Sequence, residues 1–213
     1  MNNHDAKRAQ EILDLLTREY PDARLVLKFS NPLELLIATI LAAQCRDERV
    51  NEVTDGLFRK CRVPADWIAL GEEGLQGEIK SISLYRKKAK SIIACCSRMV
   101  DDFDGKVPDA VEGLTSLPGV GRKTANIVLG CAFGRQAIAV DTHVQRVSER
   151  LGLTKNKLPD KIEADLCALI SESAWTRATL VMGAHGRAIC HARKPDCPKC
   201  VVRKLCPAAE SAL

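Results

Sequence analysis

Aromatic side chains are scarce in this chain: two Trp, two Tyr and four Phe among 213 residues, 4% in all. A platform of rings for stacking a planar ligand is therefore not to be expected, and hydrogen bonds must carry more of any discrimination. No apolar run is long enough to span a bilayer, and the opening Met1-Asn2-Asn3-His4-Asp5 lacks the apolar core of a signal peptide. Both absences argue against a membrane protein and against export. Alternating apolar and polar residues bounded by turn signals are rare, which argues against β-structure. Neither an internal repeat nor a low-complexity tract is present.

What the chain does contain is helical period. Ile12, Leu13, Leu15 and Leu16 mark a first helix. Asn31 with Pro32 behind it reads as an N-cap and first helical position, opening an almost wholly apolar stretch through Leu41 that predicts a central buried helix. Val50, Val53, Leu57 and Phe58 mark another. Further helices are predicted over Arg86–Phe103, Pro108–Leu117, Arg122–Phe133, Thr142–Leu151, Asp160–Ile170 and Trp175–His185. The fold class is all-α.

Ten cysteines would imply disulfides in an exported protein. Without an export signal, reduced thiols plus a metal site are the better reading. Cys45, Cys61, Cys95, Cys96, Cys131 and Cys167 lie in helical patterns, as small buried hydrophobes would. Cys190, Cys197, Cys200 and Cys206 instead crowd into one segment, with six, two and five residues between them. Such close thiolate-only clustering suits a cubane iron–sulfur cluster, although zinc remains open on spacing alone. Net charge is +5, and Arg187, Arg193, Lys194, Lys199, Arg203 and Lys204 surround these cysteines, which fits a polyanionic partner. The loop His191–Asp196, with Arg193 and Lys194, would project as a basic finger toward phosphate.

Leu117-Pro118-Gly119-Val120-Gly121-Arg122-Lys123-Thr124 joins two predicted helices. Gly119 and Gly121 permit positive φ and close approach of a phosphate, and the helix start beyond them offers amide donors and a partial positive charge. A helix–hairpin–helix grip on a nucleic-acid backbone follows, with a plain tight turn as the alternative. Lys123 stands where the helix dipole and Arg122 disfavour a cation; an amine held neutral there is a nucleophile able to form a Schiff base. A phosphate-contacting lysine is the alternative. Asp141 reads as an N-cap before His143 and Val144, and the same carboxylate could face an active site and stabilise a sugar cation.

The segments Phe29–Ile37, Ala42-Ala43-Gln44-Cys45, Leu117–Asn126, Val140-Asp141-Thr142-His143 and the four cysteines together resemble the endonuclease III family of bifunctional DNA glycosylases, over nearly the whole chain. The resemblance implies two lobes. One is a six-helix barrel over 25–135, carrying the helix–hairpin–helix at about 111–130. The other is an iron–sulfur domain of 1–24 plus 136–213, with its cluster loop at 190–206 and the catalytic pair in the cleft between lobes. It implies excision of oxidised pyrimidines from duplex DNA and β-elimination at the abasic site, with Lys123 as nucleophile and Asp141 as its carboxylate. It also implies DNA contacts by Gly119, Val120, Gly121, Arg122, Thr124, His143, Arg193 and Lys194. Gln44 would fill the gap left by the flipped base and Leu84 would wedge into the opposite strand, unless Leu84 is ordinary helix-end packing.

One [4Fe-4S] cluster on Cys190, Cys197, Cys200 and Cys206, a monomer acting on double-stranded DNA with damaged bases or abasic sites, no membrane partner, and a cytoplasmic location (on the nucleoid in a bacterium) complete the expectation. Two departures stand out: Ser83 where glycine is expected before the wedge, and Arg46 where a small hydroxyl residue is expected after Gln44-Cys45. The adenine-mismatch relative is disfavoured, because Lys123 is present and Ile37-Ala38-Thr39-Ile40-Leu41 offers no glutamate. A non-catalytic iron–sulfur DNA-binding protein is the rival from another class.

Overall fold

The computed structural model describes residues 3–209, whose regular structure is entirely helical, with ten α-helices and no strand among the described residues. The chain divides into two compact units: one runs from Leu25 to Gly134, and the other joins the segment before it to the segment after it.

The Leu25–Gly134 unit is organised around α2 (Pro32–Ala42), whose Leu33 and every residue from Leu35 to Leu41 are buried. Asn31 caps it by accepting from the Glu34 amide at 3.0 Å, and Glu34 reaches back to accept from the Ser30 amide at 2.7 Å. A helix apolar on every side needs neighbours on every side. It packs against α3 (Asp47–Lys60), α5 (Tyr85–Phe103) and α7 (Arg122–Ala132). Helix α4 (Pro64–Glu78) was not evident from the sequence, because Gly71, Gly74 and Gly77 interrupt its pattern; it bends at Gly71, whose φ of 73° only glycine takes cheaply. Helix α6 covers Val111–Ser116, less than the predicted Pro108–Leu117. An added Cβ on Gly113 would lie 2.7 Å from Pro108 Cβ. The segment from Pro108 therefore folds across the helix instead of starting it.

The other unit contains α1 (Asn3–Glu19), α8 (Thr142–Arg150), α9 (Pro159–Leu169) and α10 (Trp175–Ala188), followed by short 3₁₀ turns at Cys197–Lys199, Arg203–Leu205 and Pro207–Ala209. Its core joins Ile12, Leu16, Val144, Val147, Ile162 and Leu166 with α10 residues such as Val181. Arg8 of α1 donates to the carbonyls of Leu151, Gly152 and Leu205, tying the first helix to the chain's last turns. Arg177 likewise donates to the carbonyls of Tyr20 and Ala23, holding the end of α1 on α10. Main-chain carbonyls gathered on one guanidinium replace several separate caps. Among the described residues no helix is long and apolar enough to cross a membrane.

Candidate nucleic-acid interface

Helix α6 ends at Ser116 and α7 begins at Arg122. Between them Leu117 and Val120 are buried, and the Val120 amide donates to Leu117 O at 3.1 Å. These two apolar anchors turn Gly119, Gly121, Arg122 and Lys123 outward, all of them exposed, with Thr124 half-buried. The two glycines have different reasons to be there. Gly119 has φ 82°, and a Cβ on it would lie 2.9 Å from Ser91 Cβ on α5. Gly121 departs from the positive φ expected of it: it is extended, at φ −93° and ψ 172°, and a Cβ there would meet nothing within 4 Å. The chain's own packing needs glycine at the first position and not at the second. Gly121 offers no side chain to cap α7, and the first turn of that helix carries no acid.

Asp141 belongs to the other unit. It follows buried Ile138, Ala139 and Val140 and caps α8, its Oδ1 accepting from the amides of His143 (2.9 Å) and Val144 (2.7 Å). His143 is half-buried and its Nδ1 faces Arg146 Nη2 at 3.1 Å. Arginine can only donate, so Nδ1 accepts and the ring proton sits on Nε2. Arg146 also donates to the Gly186 and Cys190 carbonyls, which fixes the pair against α10.

Cys190, Cys197, Cys200 and Cys206, all partly buried, line one cavity of about 200 Å³ in that same unit. Among the described residues no three His, Cys, Asp or Glu side chains form a group fit for a single metal ion. Two basic groups reach the sulfurs. Arg150 Nη1 is 3.3 Å from Cys190 Sγ, and His185 Nε2 is 3.5 Å from Cys200 Sγ while its Nδ1 meets Tyr20 Oη at 3.0 Å. Burial pushes Tyr20 up to about 12 and His185 down to about 4. Arg150 also donates to the His191 and Ala192 carbonyls, so it clamps the base of the loop that bears Arg193 and Lys194, both exposed. Lys194 takes φ 54° there.

Of the remaining cysteines, Cys61, Cys95 and Cys96 are buried as expected, whereas Cys45, Cys131 and Cys167 are only half-buried. Burial pushes the Cys95 thiol up to about 12, which makes it inert.

Gln44 and Leu84 both occupy the left-handed backbone region, at φ 55° and 57°, and both are exposed, Leu84 by 53%. Ordinary helix-end packing does not describe a leucine so open to water. Sequence reasoning missed Lys88, whose ammonium is buried beneath these two turns. Its signal was only a lysine on the apolar side of α5.

In this all-α chain the hairpin turns glycine and lysine outward at a helix start without a side-chain cap, which leaves amide donors facing water. Residues 37–172 match the family described as HhH-GPD superfamily base excision DNA repair protein, and the chain belongs to that family. It is 49% identical to the endonuclease III of Synechocystis sp. over 208 residues, 96% of this chain and 94% of the relative. Among solved structures, it superimposes on a trapped covalent intermediate of endonuclease III with DNA at a TM-score of 0.93, with 43% identity over 99% of each chain. A non-covalent endonuclease III–DNA complex matches at a TM-score of 0.92, also with 43% identity, over 99% of this chain and 98% of the other.

Proposed function

We propose that this protein is a base-excision repair enzyme that removes oxidised pyrimidines from duplex DNA and then cleaves the strand at the abasic site. The observation that carries the reading is Lys123: an exposed amine in the first turn of α7, directly behind a turn whose two glycines are exposed. The likeness to endonuclease III complexes supports the choice of DNA as partner.

The hairpin amides around Gly119, Val120 and Gly121, with Arg122 and Thr124, hold the backbone near the reacting sugar. The Lys123 amine adds to C1′ while the N-glycosidic bond breaks and its electron pair leaves with the base. The Asp141 carboxylate offsets the positive charge that grows on the sugar and helps take a proton from the attacking amine. Opening of the sugar ring gives a protonated Schiff base. This acidifies the C2′ hydrogen; its loss expels the 3′ phosphate, and water then releases Lys123. Gln44 and Leu84 occupy the space vacated by the extruded nucleotide, and His143, Arg193 and Lys194 add contacts to DNA.

The four-cysteine cavity fits an iron–sulfur group better than one zinc. Four cysteines line a space of about 200 Å³, with His185 beside Cys200, and they do not converge as tightly as a single ion requires. Cys190, Cys197, Cys200 and Cys206 would hold one [4Fe-4S] cluster, whose bonds would staple the 190–206 loop. Protein purified without added metal is expected to be brown and to lose its colour in the Cys200→Ser variant. A colourless protein containing one zinc would refute the assignment.

Borohydride trapping tests the chemistry, because hydride turns the transient Schiff base into a stable amine that keeps protein and DNA joined. A duplex with an oxidised pyrimidine should give a covalent protein–DNA adduct, absent in Lys123→Ala. Base release without any adduct would point to a monofunctional glycosylase, and binding alone to a non-catalytic protein.

A further inference from the structure

Four non-glycine residues take positive φ among the described residues; three of them, Gln44, Leu84 and Asp104, are exposed in the Leu25–Gly134 unit, and a hydrogen bond joins the turns that carry Gln44 and Leu84. Left-handed backbone is costly for a side chain of either kind, so the surroundings must hold it. Two residues do so. Ser83 Oγ donates to the Gln44 carbonyl at 2.6 Å, joining the turn before α5 to the turn after α2. Lys88 Nζ donates to the Leu41 carbonyl at 2.8 Å and the Ala43 carbonyl at 2.6 Å, and lies 3.5 Å from Ser83 Oγ.

Lys88 is 6% exposed, and all three of these partners are uncharged oxygens. Removal from water lowers its proton affinity below the usual lysine value. Burying an ammonium without a counter-ion is unfavourable, and a leucine or methionine would fill the space without that cost. Its gain is geometric: one cation gathers the last carbonyls of α2, where the helix dipole is negative, together with the hydroxyl that grips Gln44.

We infer that Ser83 and Lys88 are positioning residues that bind the Gln44 turn and the Leu84 turn into one rigid two-pronged element, so that both side chains enter the duplex in register. The inference rests on the reading of Gln44 and Leu84 as the residues that occupy the extruded nucleotide's place. A preorganised pair avoids the ordering cost that two independent loops would incur on binding. Ser83, a departure from the glycine expected there, is then a functional part of this chain.

The test compares base release from a duplex carrying one thymine glycol with cleavage of a single-stranded oligonucleotide carrying one abasic site, which has no base to extrude and no opposite strand. Ser83→Ala should lower kcat/KM on the duplex by about threefold to tenfold, the worth of one hydrogen bond, and change single-strand cleavage by less than about twofold. Ser83→Thr, which keeps the hydroxyl, should restore the duplex rate. In a Gln44→Ala, Leu84→Ala background the Ser83→Ala effect should vanish, since there is nothing left to position. Lys88→Met should show the same selectivity with a larger loss; if it does not fold, the Ser83 variants decide.

Equal losses on both substrates, no loss on either, or a Ser83 effect that persists without Gln44 and Leu84 would overturn the inference. If Gln44→Ala and Leu84→Ala themselves leave duplex base release unchanged, it is the underlying reading of those two residues that fails. If they lower it while Ser83→Ala does not, only the positioning role fails.

Discussion

Two helices in this protein begin in opposite ways. Helix α8 is capped by Asp141, whose Oδ1 accepts from the amides of His143 and Val144. Helix α7 begins at Gly121, which has no side chain to offer, and its first turn carries Arg122 and Lys123 where an acid would be favoured. The first arrangement satisfies the helix internally. The second leaves positive potential and amide donors at an exposed corner, which is poor for stability and suited to an anion brought from outside. On the proposed reading, a carboxylate with an ordinary structural task and an amine without one serve the same reaction, so their variants must be read differently.

The largest effect should come from the helix without a cap. Lys123→Ala should lower strand cleavage by about a thousandfold or more, with folding undisturbed, because the side chain is exposed and opposes its own helix dipole. An unchanged cleavage rate would remove the basis for contrasting the two helix starts.

Asp141 separates into its two tasks by choice of substitution. Asp141→Asn keeps a capping oxygen, so the melting temperature should hardly move while base release falls by about a hundredfold. Asp141→Ala should add a loss of about 1 kcal/mol in stability, measured by denaturant unfolding. Equal activity in Asn and wild type would confine this carboxylate to its structural task.

The two hairpin glycines should also separate. Gly119→Ala forces an unfavourable φ and a contact with Ser91, and should cost about 1–3 kcal/mol of stability. Gly121→Ala has room and an ordinary backbone, so thermal unfolding should be unchanged. Its affinity for DNA should nevertheless fall by about tenfold at fixed salt, the loss of about one charge-assisted hydrogen bond to phosphate. Unchanged binding would mean that phosphate does not approach this face of the turn.

Much of this was legible in the residues. The Asn31-Pro32 start, the apolar run of α2 and the Pro-Gly-Val-Gly turn specify local structure, because caps, fixed φ and periodicity act over a few residues. Helix α4 was not legible, since its glycines look like breakers until Gly71 is seen to bend one element. The buried Lys88 was nearly as hidden: its place on the apolar side of α5 was the one sign, and that does not reveal which distant helix it caps.

Apart from α4, the helices could be read along the chain, as could the hairpin, the four clustered cysteines and the family, because all of these depend on short-range patterns or on motifs. Only the tertiary structure decided that Gly121 is unstrained, that Ser83 grips Gln44, and that a lysine lies beneath both turns. The last two arise where α2 and α5 pack together, and contacts between residues far apart in the chain leave no periodic trace along it.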